Sequence, residues 1–198
     1  MTPSPTDHYG TDLGHGSIST VDSGRATVLR TAPLATFPNH LTVDDASGHV
    51  FVAADSPTDT DHPPPGDVTT LDARTGTRLA VQSVGSASSA LAADPLTERL
   101  FVLDPSGHVY VLDARSGRKV RVVTVGQNPT ALAVDVGAGR VFVANEGDNT
   151  ISVLDAHSGA VVRTVAVGHA PDAVAVDQRR GQVIVANDAG NTVSILSR

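Results

Sequence analysis

An all-β fold is predicted by three observations. The same strings recur at a fixed interval, Gly85 to Gly126 to Gly168 giving 41 and 42 residues, and Asp94 to Asp135 to Asp177 giving 41 and 42 again. Within each unit the apolar residues alternate with period two, and Asp, Asn or Gly closes each short run, as in half-buried strands separated by turns. No segment reads as a helix of useful length. That interval suits one four-stranded propeller blade. The chain therefore reads as a β-propeller of about four repeats, with four antiparallel strands per blade.

The elements follow in order. Residues 1–16 are expected to be disordered, and 17–198 to carry the repeats, as a partial blade 17–32 and blades at about 38–85, 89–126, 130–168 and 172–198. With strands named A to D from the inside outward, the partial blade supplies a C strand at 17–22 and a D strand at 25–31. The first whole unit is longer, because Asp44 to Asp94 spans 50 residues, and the insertion lies between Val50-Phe51-Val52 and the C strand at 68–72. The third unit is the cleanest, with A at 131–135, B at 141–145, C at 150–155 and D at 161–167. The last unit repeats A, B and C only. An N-terminal D strand can close a propeller by pairing with the last C strand and removing both edges. Here two C strands compete for one place. A tight four-bladed ring with a displaced strand, an open arc, and half of a dimeric ring all fit this count, and in the last two the open blade edges favour self-association.

The repeat strings carry a resemblance. Val141-Phe142-Val143-Ala144-Asn145 and Val183-Ile184-Val185-Ala186-Asn187, with Asn149-Thr150-Ile151-Ser152-Val153-Leu154-Asp155 and the run from Gly126 to Asp135, resemble the YVTN-type β-propeller repeat, a WD-like repeat of the quinoprotein-like propeller fold, over about 17–198. The signature Asn is Ala54 in the first unit and Asp104 in the second. The resemblance implies kinship with bacterial surface-layer-associated and periplasmic or secreted propellers, commonly of more blades, and hence a periplasmic or extracellular site. The start, Met1-Thr-Pro-Ser-Pro-Thr-Asp7, has neither the basic stretch nor the apolar core of a secretory signal.

Composition excludes several functions. Apolar residues make up 40 % of the chain, enough for a core, and no apolar run reaches membrane-spanning length. Without cysteine, disulfides, thiolate metal sites and Cys-linked haem are excluded. The net charge is −7 and Lys119 is the only lysine, so nucleic acid is not an expected partner. Arg118, Lys119, Arg121, Arg78 and Arg163 sit on D strands, where charge blocks edge pairing. Without tryptophan, a Trp-stacked pyrroloquinoline-quinone site is not expected. Phe51, Phe101 and Phe142 share one B-strand position with Ile184 and read as packing between blades. Asp72, Asp113 and Asp155, each four residues before a glycine, read as turn residues.

Because the strands alternate in direction, the regular Asp and Gly turns all fall on one face of the disc. The irregular D-to-A and B-to-C connections fall on the other, called here the upper face, and binding residues tend to sit on loops held by a rigid scaffold. The candidate ligand-binding residues there are His40, Asn39, Asn128, His169, Asp172 and Asn145. His40 stands out because Ala90, Ala131 and Ala173 fill its equivalent positions on the innermost strands. A weaker candidate is a divalent cation at Asp55, Asp59, Asp61 and His62 in the insertion. The spacing is not that of an EF-hand, since Pro64 stands where glycine is needed. Asp7, His8, Asp12 and His15 form a similar cluster. No catalytic signature such as Gly-x-Ser-x-Gly or His-Glu-x-x-His is present. The favoured reading is a non-catalytic binding or scaffold propeller presenting loops to a protein or small ligand. The alternative is a lactonase-like propeller hydrolase or lyase with a pore-mouth histidine and a divalent cation.

Overall fold

The computed structural model describes residues 16–22, 24–34, 37–55, 66–85 and 88–197. Every regular element among them is a strand, and the strands group into five antiparallel sheets. β1 (Gly16–Asp22) and β2 (Thr27–Leu34) form a two-stranded sheet. The first blade holds β3 (Phe37–Asp44), β4 (His49–Asp55), β5 (Gly66–Asp72) and β6 (Arg78–Val84). The second holds β7 (Ala90–Asp94), β8 (Arg99–Asp104), β9 (His108–Asp113) and β10 (Lys119–Thr124). The third holds β11 (Pro129–Asp135), β12 (Arg140–Asn145), β13 (Thr150–Asp155) and β14 (Val161–Ala166). The last holds β15 (Pro171–Asp177), β16 (Gln182–Asn187) and β17 (Thr192–Ser197).

The turns form because short polar side chains satisfy nearby main-chain donors. The Asp155 Oδ1 accepts the Ser158 N–H and hydroxyl, both at 2.9 Å, and Gly159 follows at φ +71°. Asp113 with Ser116 and Asp72 with Thr75 repeat the arrangement. The Ser158 N–H and hydroxyl hold Asp155 below the ordinary carboxylate range, and the Ser116 hydroxyl and N–H do the same for Asp113.

The core lies between blades. Alternation sends one set of side chains forward onto the next blade and the other set back onto the preceding one. Phe51, Ala53 and Val68 pack with Leu100, Val102 and Leu112 of the second blade. Phe101, Leu103 and Val111 pack with Val141, Val143 and Leu154 of the third, and Phe142, Ala144 and Ile151 with Val183 and Val185 of the last. Ile184, the fourth member of the phenylalanine series, is exposed because no blade follows it among the described residues.

Among the described residues the sheets make an incomplete propeller, and none of them closes it. β2 pairs with β1, and no described strand pairs with the outer edge of β17. Of the three arrangements compatible with the strand count, the single chain adopts the open arc. The cause is local packing: Leu34 of the two-stranded sheet is buried with Val52 and Leu71 of the first blade, and the half-buried Ile18 and Val50 pack against them. The segment expected to be disordered lies outside the described residues except for Gly16, which opens β1.

Candidate functional site

The innermost strands are tied to one another at the upper face. Each of β3, β7 and β11 begins with a bulge or a short extension that carries a polar side chain toward the next blade. The Asn39 Nδ2 donates to the Ser88 carbonyl at 3.3 Å, the Ser89 hydroxyl to the Pro129 carbonyl at 3.5 Å, and the Thr130 hydroxyl to the Pro171 carbonyl at 3.0 Å. Asp172 occupies the fourth equivalent place. An ionised carboxylate cannot donate, and Asp172 is exposed at the end of the arc.

His40 follows the bulge between Pro38 and His40 and faces Ala53, the register in which Ala131 faces Ala144 and Ala173 faces Ala186. The equivalence read from the sequence is therefore met in the backbone. His40 is exposed and lines a cavity of about 270 Å³ between β1 and β3, with Ser17 and Ser19 in the same wall. That wall comes from the N-terminal sheet, which sequence reasoning placed in a separate blade.

Asn145 is wholly buried, and its amide is engaged within the blade. Its Oδ1 accepts the Gly126 N–H at 3.1 Å, and its Nδ2 donates to the hydroxyls of Thr150 and Ser152, each at 3.0 Å. This locks the loop before the A strand onto the turn after the B strand. Gly126 is required there, since a Cβ would lie 2.6 Å from the Asn145 Cγ. The Asp148 carboxylate accepts the Gln127 N–H at 2.8 Å, and the Asn128 carbonyl accepts the Glu146 N–H at 3.0 Å. Asn128 has φ +47°, a left-handed conformation that asparagine tolerates, and Ala170 holds the same position in the last blade at φ +51°.

Two blades modify the lock. Asn187 donates to the hydroxyls of Thr192 and Ser194, but the Gly168 N–H goes to Ser194, and the buried Asn187 Oδ1 has no partner. In the second blade Asp104 replaces the asparagine. Its carboxylate lies against the Tyr110 hydroxyl, where burial first and then the Asp104 charge push the phenol above its ordinary range.

The two faces differ in charge. The upper-face connections contain no Lys or Arg but hold Asp104, Glu146, Asp148, Asp172 and Asp188. Of these Glu146, Asp148, Asp172 and Asp188 are exposed, and Asp172, Asp188 and Asn191 line a cavity of about 280 Å³. The arginines of the turns lie on the opposite face, where Arg140 pairs with Asp155 at 2.8 Å, Arg180 with Asp177 at 3.1 Å and Arg99 with Asp113 at 3.4 Å. His169 and Asn128 are exposed on the acidic face. The D-strand cations stay at the rim, with Lys119 Nζ 5.5 Å from the Tyr110 ring centre and Arg121 donating to the Ser158 carbonyl.

Sequence reasoning brought His40, Asn39, Asn128, His169, Asp172 and Asn145 to one face; the structure places Asn128 and His169 on loops, Asn39, His40 and Asp172 in the first half of inner strands, and Asn145 at the end of β12. Asn39 and Asn145 hold the scaffold together there. Asp55 ends β4, while Asp59, Asp61 and His62, like Asp7, His8, Asp12 and His15, lie outside the described residues. Ser89, Thr130 and Tyr110 were missed, and so was the acidity of the face. The last was legible as loops without Lys or Arg, whereas the cross-blade bonds show only as a hydroxyl or amide recurring at one repeat position.

Residues 64–198 match the family model described as outer membrane protein assembly factor BamB. No curated protein matches the chain. Among solved structures, a chain of the mitotic checkpoint complex is similar with a TM-score of 0.78 and 20 % identity, over 93 % of this chain and 56 % of that one. Hydrazine synthase of Kuenenia stuttgartiensis is similar with a TM-score of 0.69 and 22 % identity, over 81 % of this chain and 46 % of that one. The computationally designed protein Ika8 is similar with a TM-score of 0.64 and 20 % identity, over 83 % and 47 %. The chain thus spans about half the length of each. At these identities the likeness is one of fold.

Proposed function

The chain belongs to the family described as outer membrane protein assembly factor BamB, and from that premise we propose that it is a non-catalytic scaffold whose upper-face loops bind a cationic segment of another protein. The repeat subtype we propose is the YVTN type, on the strings around Asn145 and Asn187. The observation that carries the reading is the separation of charge. Acidic side chains without neighbouring cations stand on loops that backbone and amide bonds fix to rigid strands, while Arg99, Arg140 and Arg180 of the other face are paired with turn aspartates. Such a surface attracts basic segments and discourages anionic ones. Within it we assign Glu146, Asp172 and Asp188 to charge, and His40, Asn128 and His169 to hydrogen bonding.

Calorimetric titration with an arginine-rich model peptide tests this. Binding should weaken by about tenfold or more when salt is raised well beyond the range where the screening length matches the loop spacing. It should also weaken in the chain carrying Glu146→Gln, Asp172→Asn and Asp188→Asn, and stay unchanged when Arg179 and Arg180 are neutralised. Equal binding by the triple variant would overturn the assignment. The enzyme alternative has its own test: conversion of simple lactones, abolished by chelation and by His40→Ala.

A further inference from the structure

One interface recurs three times in this molecule, and the two ends of the arc are its separated halves. On the forward side of an internal blade, Phe142, Ile151 and Val153 are buried against the next blade. On the receiving side the inner strand contributes an apolar pair, Leu91 and Ala93, then Leu132 and Val134, then Val174 and Val176. At the far end the forward residues Ile184, Val193 and Ile195 are 37 %, 61 % and 62 % exposed. At the near end the receiving pair, Leu41 and Val43, is 57 % and 49 % exposed.

The strand edges complete the case. The outermost strands β6, β10 and β14 carry Arg78, Lys119 with Arg121, and Arg163, whereas β17 carries no charged residue. β17 is thus composed as an inner strand awaiting a fourth. A fourth strand in the right register exists at the other end. β1 and β2 pair as Ser19 with Thr31 and Thr20 with Arg30, with a shift after Thr20, and β13 and β14 pair as Ser152 with Thr164 and Val153 with Arg163, with a shift after Val153.

We infer that two copies of this chain associate head to tail around a twofold axis. Each copy seats Ile184, Val193 and Ile195 on Leu41 and Val43 of the other, and β17 displaces the other copy's β1 to take β2 as its fourth strand. The occupant is a second copy because both halves are present on one chain, and the same halves already fit each other at three internal junctions. Val193 then takes the place of Ile18, which packs on Val52 and Leu71, and Ile195 the place of the exposed Thr20, a more apolar pair than the one they replace. Two identical junctions close the ring, so growth stops at two.

Light scattering on the full chain after size exclusion tests this. The expected mass is twice 20.3 kDa. Ile195→Asp and Leu41→Arg each give a monomer with an unchanged circular dichroism spectrum, since both residues are exposed, and an equimolar mixture of the two variants recovers a dimer through the one intact junction. The native chain has no cysteine, so Thr31→Cys with Ser194→Cys in one chain reports the exchange as a disulfide-linked dimer. A monomeric native chain, an assembly larger than two, a dimer that survives Leu41→Arg, or the absence of the linked dimer would overturn the proposal.

Discussion

The third and last blades are near copies in sequence and differ in what covers them. Phe142 and Ile184 hold the same B-strand place, one buried and the other exposed. Ile151 and Val153 are buried in β13, whereas Val193 and Ile195 of β17 are exposed. A blade does not bury its own forward face; the following blade does. Stability in this molecule is therefore a property of junctions, as in other stacked repeats where neighbour interfaces dominate.

The widest gap should open at the phenylalanine position. Phe101→Ala leaves a cavity between the second and third blades and costs about 3–5 kcal/mol, while Ile184→Ala costs less than about 1 kcal/mol in the monomeric chain. Urea unfolding of both variants measures the difference, and a loss at Ile184 that grows with protein concentration would mark the second copy covering it. The locks should differ less. Asn145→Ala removes three hydrogen bonds, one of them buried, and costs about 2–3 kcal/mol, and Asn187→Ala should cost about 1 kcal/mol less because its Oδ1 has no partner to lose. The same unfolding measurement reads both.

Smaller effects come from the left-handed residues. Ala170→Asn should stabilise the last blade by roughly 1 kcal/mol, and Asn128→Ala should weaken the third by a similar amount, because alanine is strained at positive φ. Thermal midpoints report the two opposite shifts. The turn aspartates give a pH dependence. Asp113 and Asp155 have folded-state pKa values below the 3.8 of the unfolded chain, so their contribution is present above that value and is lost as pH falls through the folded values. Denaturation midpoints between pH 6 and pH 2 should fall less steeply in Asp155→Asn than in the native chain.

Much of this was legible in the sequence. The interval between Gly85, Gly126 and Gly168 gave the blades, alternation gave the strands, and the place of Phe51, Phe101 and Phe142 gave the junction cores. His40 was found as a break in an alanine series. The exposure of Ile184 was not legible, since it depends on what lies beyond the blade. Nor was the seating of β1 and β2 on the first blade, which Ile18 and Leu34 decide through packing at long sequence separation. Asn145 resembled a loop ligand because it follows an apolar strand, but only the fold shows the Gly126 N–H beside it.

Amide hydrogen exchange of β13 and β17, in the Leu41→Arg chain whose ends stay free, tests the central claim most directly. If junctions confer order, the amides of β13 should be protected to the level of global unfolding and those of β17 should exchange orders of magnitude faster. Equal protection of the two strands would show that a blade is stable without its successor, and would contradict the account.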